Sequence, residues 1–126
     1  MKVIKIDKNS SLFSKVKEII NQNLSNKCFK GEYFVLIKNN EIIGIIALNQ
    51  LSWFITEIKQ FVIIEKYRSK GYGQYLLKEV IKQIKTSLAC CIVKENNYVS
   101  LHIFKKYGFK EIEKINSKIF MVKKIY

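Results

Sequence analysis

A six-residue loop carries the clearest chemical signal in the sequence. It spans residues 68–73, reads Arg-Ser-Lys-Gly-Tyr-Gly, and lies between an apolar strand-like run and an amphipathic helical pattern. The first amides of a helix have no intrahelical acceptor and carry partial positive charge, and glycines let that backbone approach a diphosphate closely. Arg68 is the only arginine of the chain. Its planar guanidinium can either bind phosphate with two bonds or lock the loop by bonding backbone carbonyls.

The glycine spacing of this loop excludes two common phosphate-binding motifs. No Gly-Lys-Ser/Thr follows at P-loop spacing, and the third glycine of the dinucleotide fingerprint is absent. Two glycines alone would equally suit an ordinary strand-to-helix turn. The loop by itself therefore predicts a phosphate site only in a suitable fold.

Glu57 is the candidate general base. It is the only acidic residue between Glu41 and Glu65, in an apolar and strand-like stretch. A partly buried carboxylate in such surroundings suits proton removal. The alternative is a strand glutamate that faces solvent or pairs with Lys59, and the residues alone leave both interpretations open.

The composition fits one globular domain. The chain has 126 residues, of which 48% are hydrophobic, and a net charge of +13. That charge favours anionic partners, but its lysines are spread along the chain and do not single out nucleic acid, membrane or cofactor. The odd number of cysteines and the adjacent pair Cys90 and Cys91 beside Cys28 do not suggest a disulfide framework, and with one histidine and no Cys-x-x-Cys no metal is expected. No apolar run has membrane-spanning length and no signal peptide is evident, so we expect a cytoplasmic protein.

The elements that position these residues follow from the hydrophobic pattern. Alternation and helical spacing predict the order β, α, three strands, α, β, α, β, β. Gly44 indicates a bulge or a close neighbour, Trp53 is expected in the core or in the wall of an acceptor pocket, and residues 21–32 are expected to be irregular. The predicted strands are 3–6, 33–37, 42–48, 52–64, 88–93, 109–115 and 118–125, and the predicted helices begin at Ser10 or Ser11, near Gly71–Gly73, and at Asn97.

Two stretches resemble the signature motifs of GCN5-related N-acetyltransferases (GNAT). Residues 61–77 are similar to the family's Arg/Gln-x-x-Gly-x-Gly/Ala motif after a strand, and residues 97–109 to its Asn-led helix that ends in Gly-Phe. Both occur in the family's order, and the predicted elements agree over essentially the whole chain, although residues 1–32 match only in outline. The sequence is therefore identified as a small member of this family with a single domain over residues 1–126.

The resemblance implies the fold and the co-substrate site. The fold would be α/β, with a mixed, mostly antiparallel central sheet of about six to seven strands, flanked by helices and splayed between the fourth and fifth strands. Acetyl-CoA would bind in that gap: strand backbone on the pantetheine arm, loop amides on the diphosphate, and Asn97 beside the pantetheine as well as capping its helix. The implied binding residues are Phe61, Val62, Ile63, Arg68, Ser69, Lys70, Gly71, Tyr72, Gly73, Gln74, Asn97 and Phe104.

The resemblance also implies the reaction, the direct attack of an amine on the thioester. Glu57 matches the glutamate base of GCN5-like enzymes. A lysine-like amine has a pKa of about 10.4, so about one molecule in 10³ is neutral at pH 7 and a base is useful. Many family members place a proton-donating tyrosine at the position of Phe104, which has no proton to give. Thiolate departure would then rely on its own stability or on water.

Three functions compete at this point. The first is acetyl transfer to a primary amine of a small molecule or protein, with neutral or anionic acceptors favoured by the net charge of +13. The second is a non-catalytic acetyl-CoA-binding regulatory protein, which the missing tyrosine makes credible. The third is a nucleic-acid-binding module, which is not expected because no standard binding motif is present. A homodimer is left open, and no membrane association is expected.

Overall fold

The structure is a computed structural model that describes residues 1–24 and 31–126. Within these two ranges it contains a seven-stranded sheet of order β1-β2-β3-β4-β5-β7-β6, in which only β4 and β5 are parallel. The predicted mixed, mostly antiparallel α/β fold is confirmed. The strands are β1 Lys2–Ile6, β2 Glu32–Lys38, β3 Glu41–Gln50, β4 Ile55–Ile63, β5 Leu88–Lys94, β6 Lys110–Ile115 and β7 Lys118–Lys124, and the helices are α1 Leu12–Asn23, α2 Tyr72–Ile81 and α3 Tyr98–Lys106.

The start of β4 differs from the prediction. The strand begins at Ile55 and not at residue 52, because residues 52–54 form a bend in which the Ser52 hydroxyl accepts a hydrogen bond from the Phe54 amide at 3.2 Å. Trp53 lies in this bend and is 84% exposed, so its expected place in the core is wrong. Trp53 precedes the first residue of β4, and its ring packs edge-on against the exposed ring of Phe54, with centroids 5.2 Å apart.

Helix α1 is longer than predicted. It continues to Asn23, into the segment expected to be irregular. The Asn23 side-chain amide donates to the Ile19 carbonyl at 2.8 Å, so a polar side chain satisfies one of the last helical carbonyls. Residues 25–30 of the expected irregular segment, with Cys28, lie outside the described residues. No helix in the described ranges is long and apolar enough to cross a membrane.

The sheet has a hydrophobic core on each face. One face packs against α2 and α3, and its buried residues include Leu76, Leu77 and Leu101. The other packs against α1, through Val16 and Ile20. This three-layer arrangement holds the start of α2 and the start of α3 on the same side of the sheet.

The adjacent thiols of β5 are part of these layers. Cys90 and Cys91 are both buried. Burial, and secondarily the nearby Glu57 carboxylate, raises the pKa of Cys90 to about 11, and burial likewise raises the pKa of Cys91. Because only the thiolate is a good nucleophile, these values support the prediction that both cysteines pack and do not react.

Gly44 confirms the expected close neighbour on β3. A Cβ built at this glycine would lie 2.6 Å from Ile63 Cδ1, 3.3 Å from Leu76 Cδ2 and 3.3 Å from the Val62 carbonyl oxygen. The register of β2 against β3 also shifts between Leu36 and Ile37. The absent side chain lets α2 and β4 approach β3 closely.

We expect Gly44→Ala to destabilise the protein by about 1–3 kcal/mol, because the added methyl group overpacks the junction of β3, β4 and α2. The measurement is the free energy of unfolding in urea. Ala is the better strand residue at an unconstrained site, so an unchanged or increased free energy would contradict the close packing.

Candidate functional site

The parallel strands β4 and β5 separate half-way along their length. Residues 55–58 pair with residues 88–91, and pairing ends at Ile58 and Cys91. A β-bulge follows on β4, because Gln60 and Phe61 together oppose Ile46 of β3. Bulges bend the strand that carries them and increase its twist. The bulge thus turns the second half of β4 away from β5 and opens a gap in the sheet.

Gln60 is the residue that forms the bulge. Its φ is 54°, a left-handed conformation that costs energy for a residue with a side chain. The side chain is 7% exposed, and its Oε1 accepts a hydrogen bond from the Tyr33 hydroxyl at 2.5 Å. This buried bond to β2 holds the strained residue in place.

A cleft of about 820 Å³ begins at this gap. Its walls are the second half of β4, the loop and first turn of α2, the first turns of α3, and the end of α1. All predicted co-substrate residues except two line it: Phe61, Val62, Ile63, Arg68, Ser69, Gly71, Tyr72, Gly73, Gln74 and Asn97. The structure therefore brings both sequence motifs to one cavity.

Lys70 and Phe104 are the two that do not line the cleft. Lys70 is exposed on the loop. Phe104 is 3% exposed, and its ring packs edge-on against Phe61, at 5.9 Å between centroids, and against Phe109, at 5.1 Å. Phe104 thus supports the cleft wall from behind, and its contact with a co-substrate stays a prediction.

The first turn of α2 faces the cleft without a side-chain cap. Gly71 precedes the helix with φ of 84° and makes no capping bond, and a Cβ at this position would meet nothing within 4 Å. Ser69 is also left-handed, with φ of 64°. Helix geometry leaves the first amides of α2 without intrahelical acceptors. The turn can accordingly receive an anionic oxygen.

Arg68 holds the loop through a backbone carbonyl. Its Nε donates to the Ile63 carbonyl at 2.7 Å, and its Nη2 donates to Asn23 Oδ1 at 3.5 Å. Of the two roles predicted for this arginine, the structure shows the bonding of a backbone carbonyl, that of the last residue of β4. The guanidinium also ties the end of α1 to the mouth of the cleft.

Helix α3 forms the opposite wall. Asn97 caps it, since its Oδ1 accepts a hydrogen bond from the Ser100 amide at 3.2 Å, as the sequence predicted. Lys106 donates to Gln74 Oε1 at 2.6 Å and bridges α3 to the first turn of α2. This exposed bond links the two helices that border the cleft.

Several lining residues were missed by sequence reasoning: Asn23, Leu24, Tyr67, Tyr98, Val99, Ser100, His102 and Ile103. His102, interpreted from sequence as a core or surface residue, is exposed and borders the cleft. The helical spacing of Tyr98 and His102 next to the Asn97 cap could have indicated that they share the cleft side of α3.

Glu57 lies on the opposite face of the sheet. Side chains alternate along a strand, and its neighbour Ile58 packs on the α2–α3 side, so Glu57 faces the α1 side. Its side chain is 20% exposed, and Oε1 lies 3.9 Å from Nζ of Lys59. The structure therefore contains the Lys59 pair that the alternative interpretation expected. In register, Glu57 pairs with Cys90, one residue before the strands separate.

The acetyltransferase (GNAT) family model matches residues 7–109. The protein therefore belongs to this family, as the two sequence motifs predicted. A similar curated protein is an N-alpha-acetyltransferase from Sulfurisphaera tokodaii, 25% identical over 103 residues, which cover 69% of this chain and 61% of that relative. The chain thus spans less than two thirds of that relative's length.

Solved structures give the same fold. A GNAT family acetyltransferase from Elizabethkingia anophelis with acetyl-CoA bound is 24% identical with a TM-score of 0.77, covering 98% of this chain and 97% of that chain. The PaiA N-acetyltransferase from Thermoplasma acidophilum in complex with coenzyme A is 25% identical with a TM-score of 0.68, covering 73% of this chain and 59% of that chain. Tetrahymena GCN5 is 16% identical with a TM-score of 0.80, covering 100% and 97%.

We expect Asn97→Ala to lower the free energy of unfolding by about 0.5–2 kcal/mol, because the Ser100 amide loses its cap. Asn97→Asp keeps an acceptor oxygen at the helix start and should remain near the wild type. Urea denaturation measures both. Asn96→Ala, at the adjacent exposed asparagine, is the matched control, and an equal loss in that variant would contradict the capping role.

Proposed function

We propose that the protein is an acetyl-CoA-dependent N-acetyltransferase that transfers acetyl directly to a primary amine. The observation that carries the proposal is the gap between β4 and β5, which continues to the uncapped start of α2. Membership of the GNAT family supports acetyl transfer. The acetyl-CoA and coenzyme A in the two similar structures support the co-substrate.

The cleft suits the parts of acetyl-CoA in order. The diphosphate would accept hydrogen bonds from the amides at the start of α2, which the helix dipole also favours. The pantetheine arm would pair with the backbone of Phe61 and Ile63 as an added strand, since β5 no longer pairs with β4 there. The thioester would then lie at the point where the strands separate. Asn97 would contact the pantetheine from the α3 side.

The amine acceptor would approach from the α1 side of the sheet. Glu57 is on that face and next in register to the separation point, so it is the candidate base. It would take one proton of the ammonium, and the neutral nitrogen would attack the thioester carbonyl. A C–N bond would form, the C–S bond would break to release the thiolate, and the nitrogen would lose its second proton to water. Holding both reactants in this geometry contributes more than the base, since effective molarities reach about 10⁵ M or more.

The leaving thiolate has no obvious proton donor in this proposal. Phe104 occupies the position expected of a tyrosine and is buried among aromatic rings. A thiol has a pKa of about 8.5, so the thiolate is a tolerable leaving group and water can protonate it. The proposed reaction therefore depends more on positioning than on acid catalysis.

The net charge of the protein indicates which amine acceptors it would favour. The net charge of +13 disfavours polycationic amines such as polyamines and favours neutral or anionic acceptors, although salt screens such fields beyond about 10 Å at 0.1 M. The similar N-alpha-acetyltransferase makes α-amines the first acceptors to test. Small molecules and protein N-termini both belong in the panel.

We expect the wild type to release thiol from acetyl-CoA in the presence of at least one amine of such a panel. Glu57→Gln should lower kcat by about 10²- to 10⁴-fold, because the variant cannot accept the proton, and should leave the affinity for acetyl-CoA unchanged. Glu113→Gln, on the exposed edge strand β6, is the matched control.

Two outcomes would contradict this proposal. An unchanged rate in Glu57→Gln would leave Glu57 as the partner of Lys59 only. Tight acetyl-CoA binding without turnover on any amine would favour a non-catalytic acetyl-CoA-binding protein.

A further inference from the structure

Side chains at both ends of the loop of residues 68–71 are hydrogen-bonded to the hairpin turn between β2 and β3. The Tyr67 hydroxyl donates to Glu41 Oε2 at 2.6 Å, and Lys38 Nζ donates to the Tyr72 hydroxyl at 2.5 Å. Tyr67 directly precedes Arg68, and Tyr72 is the first residue of α2. The two bonds therefore bracket residues 68–71. Both tyrosines line the cleft, whereas Lys38 and Glu41 are not among its described lining residues.

The hairpin turn itself has a restricted shape. Lys38 and Glu41 form the last pair between β2 and β3, and only Asn39 and Asn40 connect them. Both asparagines are left-handed, with φ of 52° and 61°, the conformation of two-residue hairpin turns that match strand twist. Lys38 and Glu41, which we call the anchors of the loop, therefore belong to a well-defined part of the sheet.

Ordering the loop of residues 68–71 is expected to cost conformational entropy. The loop is exposed, and it contains two left-handed residues, Ser69 and Gly71. Fixing the backbone of one residue costs about 1–2 kcal/mol of conformational entropy. A loop ordered before the ligand arrives avoids part of that cost on binding.

A charged acceptor and an aromatic contact support the hydrogen bonds that hold the loop. The hydrogen bond from Tyr67, and then the Lys66 ammonium 3.2 Å away, hold the pKa of Glu41 below its usual range. Tyr67 therefore donates to an ionised acceptor, and such bonds are stronger than neutral ones. The Tyr67 and Tyr72 rings lie edge to face, with centroids 6.2 Å apart. The two anchors thus form one connected cluster.

We propose that Glu41 and Lys38 are positioning residues for the co-substrate: through Tyr67 and Tyr72 they hold the amides of residues 68–73 in the arrangement that binds the diphosphate. The inference rests on the proposed function, because it concerns the affinity for acetyl-CoA. It adds a role for the β2–β3 turn, which lies outside the cleft.

The test is isothermal titration of coenzyme A and acetyl-CoA into the wild type and into Tyr67→Phe, Glu41→Ala and the double variant. Each single change should raise Kd about five- to tenfold, which matches the net contribution of one intramolecular hydrogen bond. The double variant should be no weaker than the weaker single variant, because both changes remove the same bond. Lys38→Met tests the second anchor independently and should also raise Kd.

Rescue and controls separate positioning from general destabilisation. Glu41→Gln retains an oxygen that can accept from Tyr67 and should restore most of the affinity. Tyr126→Phe and Glu113→Ala delete a hydroxyl and a carboxylate at remote exposed sites and should leave Kd unchanged. At saturating acetyl-CoA, the kcat of Glu41→Ala and of Lys38→Met should stay within about twofold of the wild type, since neither residue lines the cleft.

The outcomes distinguish the two proposals. A wild type that binds neither coenzyme A nor acetyl-CoA would overturn the proposed function. A wild type that binds both, with Kd unchanged in Tyr67→Phe, Glu41→Ala and Lys38→Met, would overturn the positioning role alone. Additive losses in the double variant, or Glu41→Gln as weak as Glu41→Ala, would also overturn it, since the effect would then be charge and not the bond to Tyr67.

Discussion

The separation of β4 from β5 is the constraint on which the rest of this structure depends. Parallel strands normally continue to pair until one of them ends, and here they part after Ile58 and Cys91. The bulge at Gln60, held by its bond from Tyr33, separates the second half of β4 from β5, while that half stays paired with β3. The walls of the cleft are the elements that surround this gap: the second half of β4, the loop and start of α2, the start of α3 and the end of α1. The gap at which the cleft begins thus coincides with the bulge.

The sheet divides the proposed chemistry between its two faces. The loop, the start of α2 and the start of α3 lie on one side, and Glu57 lies on the other, so in the proposed reaction a thioester held on the first side would meet the base at the gap. Arg68 and the Lys106–Gln74 bond hold the first side together. Such links serve positioning, since small displacements of reacting groups cost large factors in rate.

Local patterns in the sequence predicted the order of elements, the loop and both motifs, because alternation, helical spacing and glycines are local signals. They could not predict the bulge, since nothing in Lys59-Gln60-Phe61 marks a left-handed residue. The bond between Glu41 and Tyr67 joins residues 26 apart, and no short-range pattern encodes it. Trp53 shows the same limit: an apolar residue in a strand-like run says nothing about where the sheet ends.

The position of the adjacent free thiols Cys90 and Cys91 in β5 has a consequence for the proposed reaction. Cys91 is the last residue of β5 that pairs with β4, so a thioester in the gap would be near two potential competitors of the amine. Thiol exchange would move the acetyl group onto the protein itself. Because burial raises the pKa of Cys90 to about 11, only about one such thiol in 10⁴ is ionised at pH 7. The burial of the two thiols thus opposes transfer of the acetyl group from the thioester to the protein.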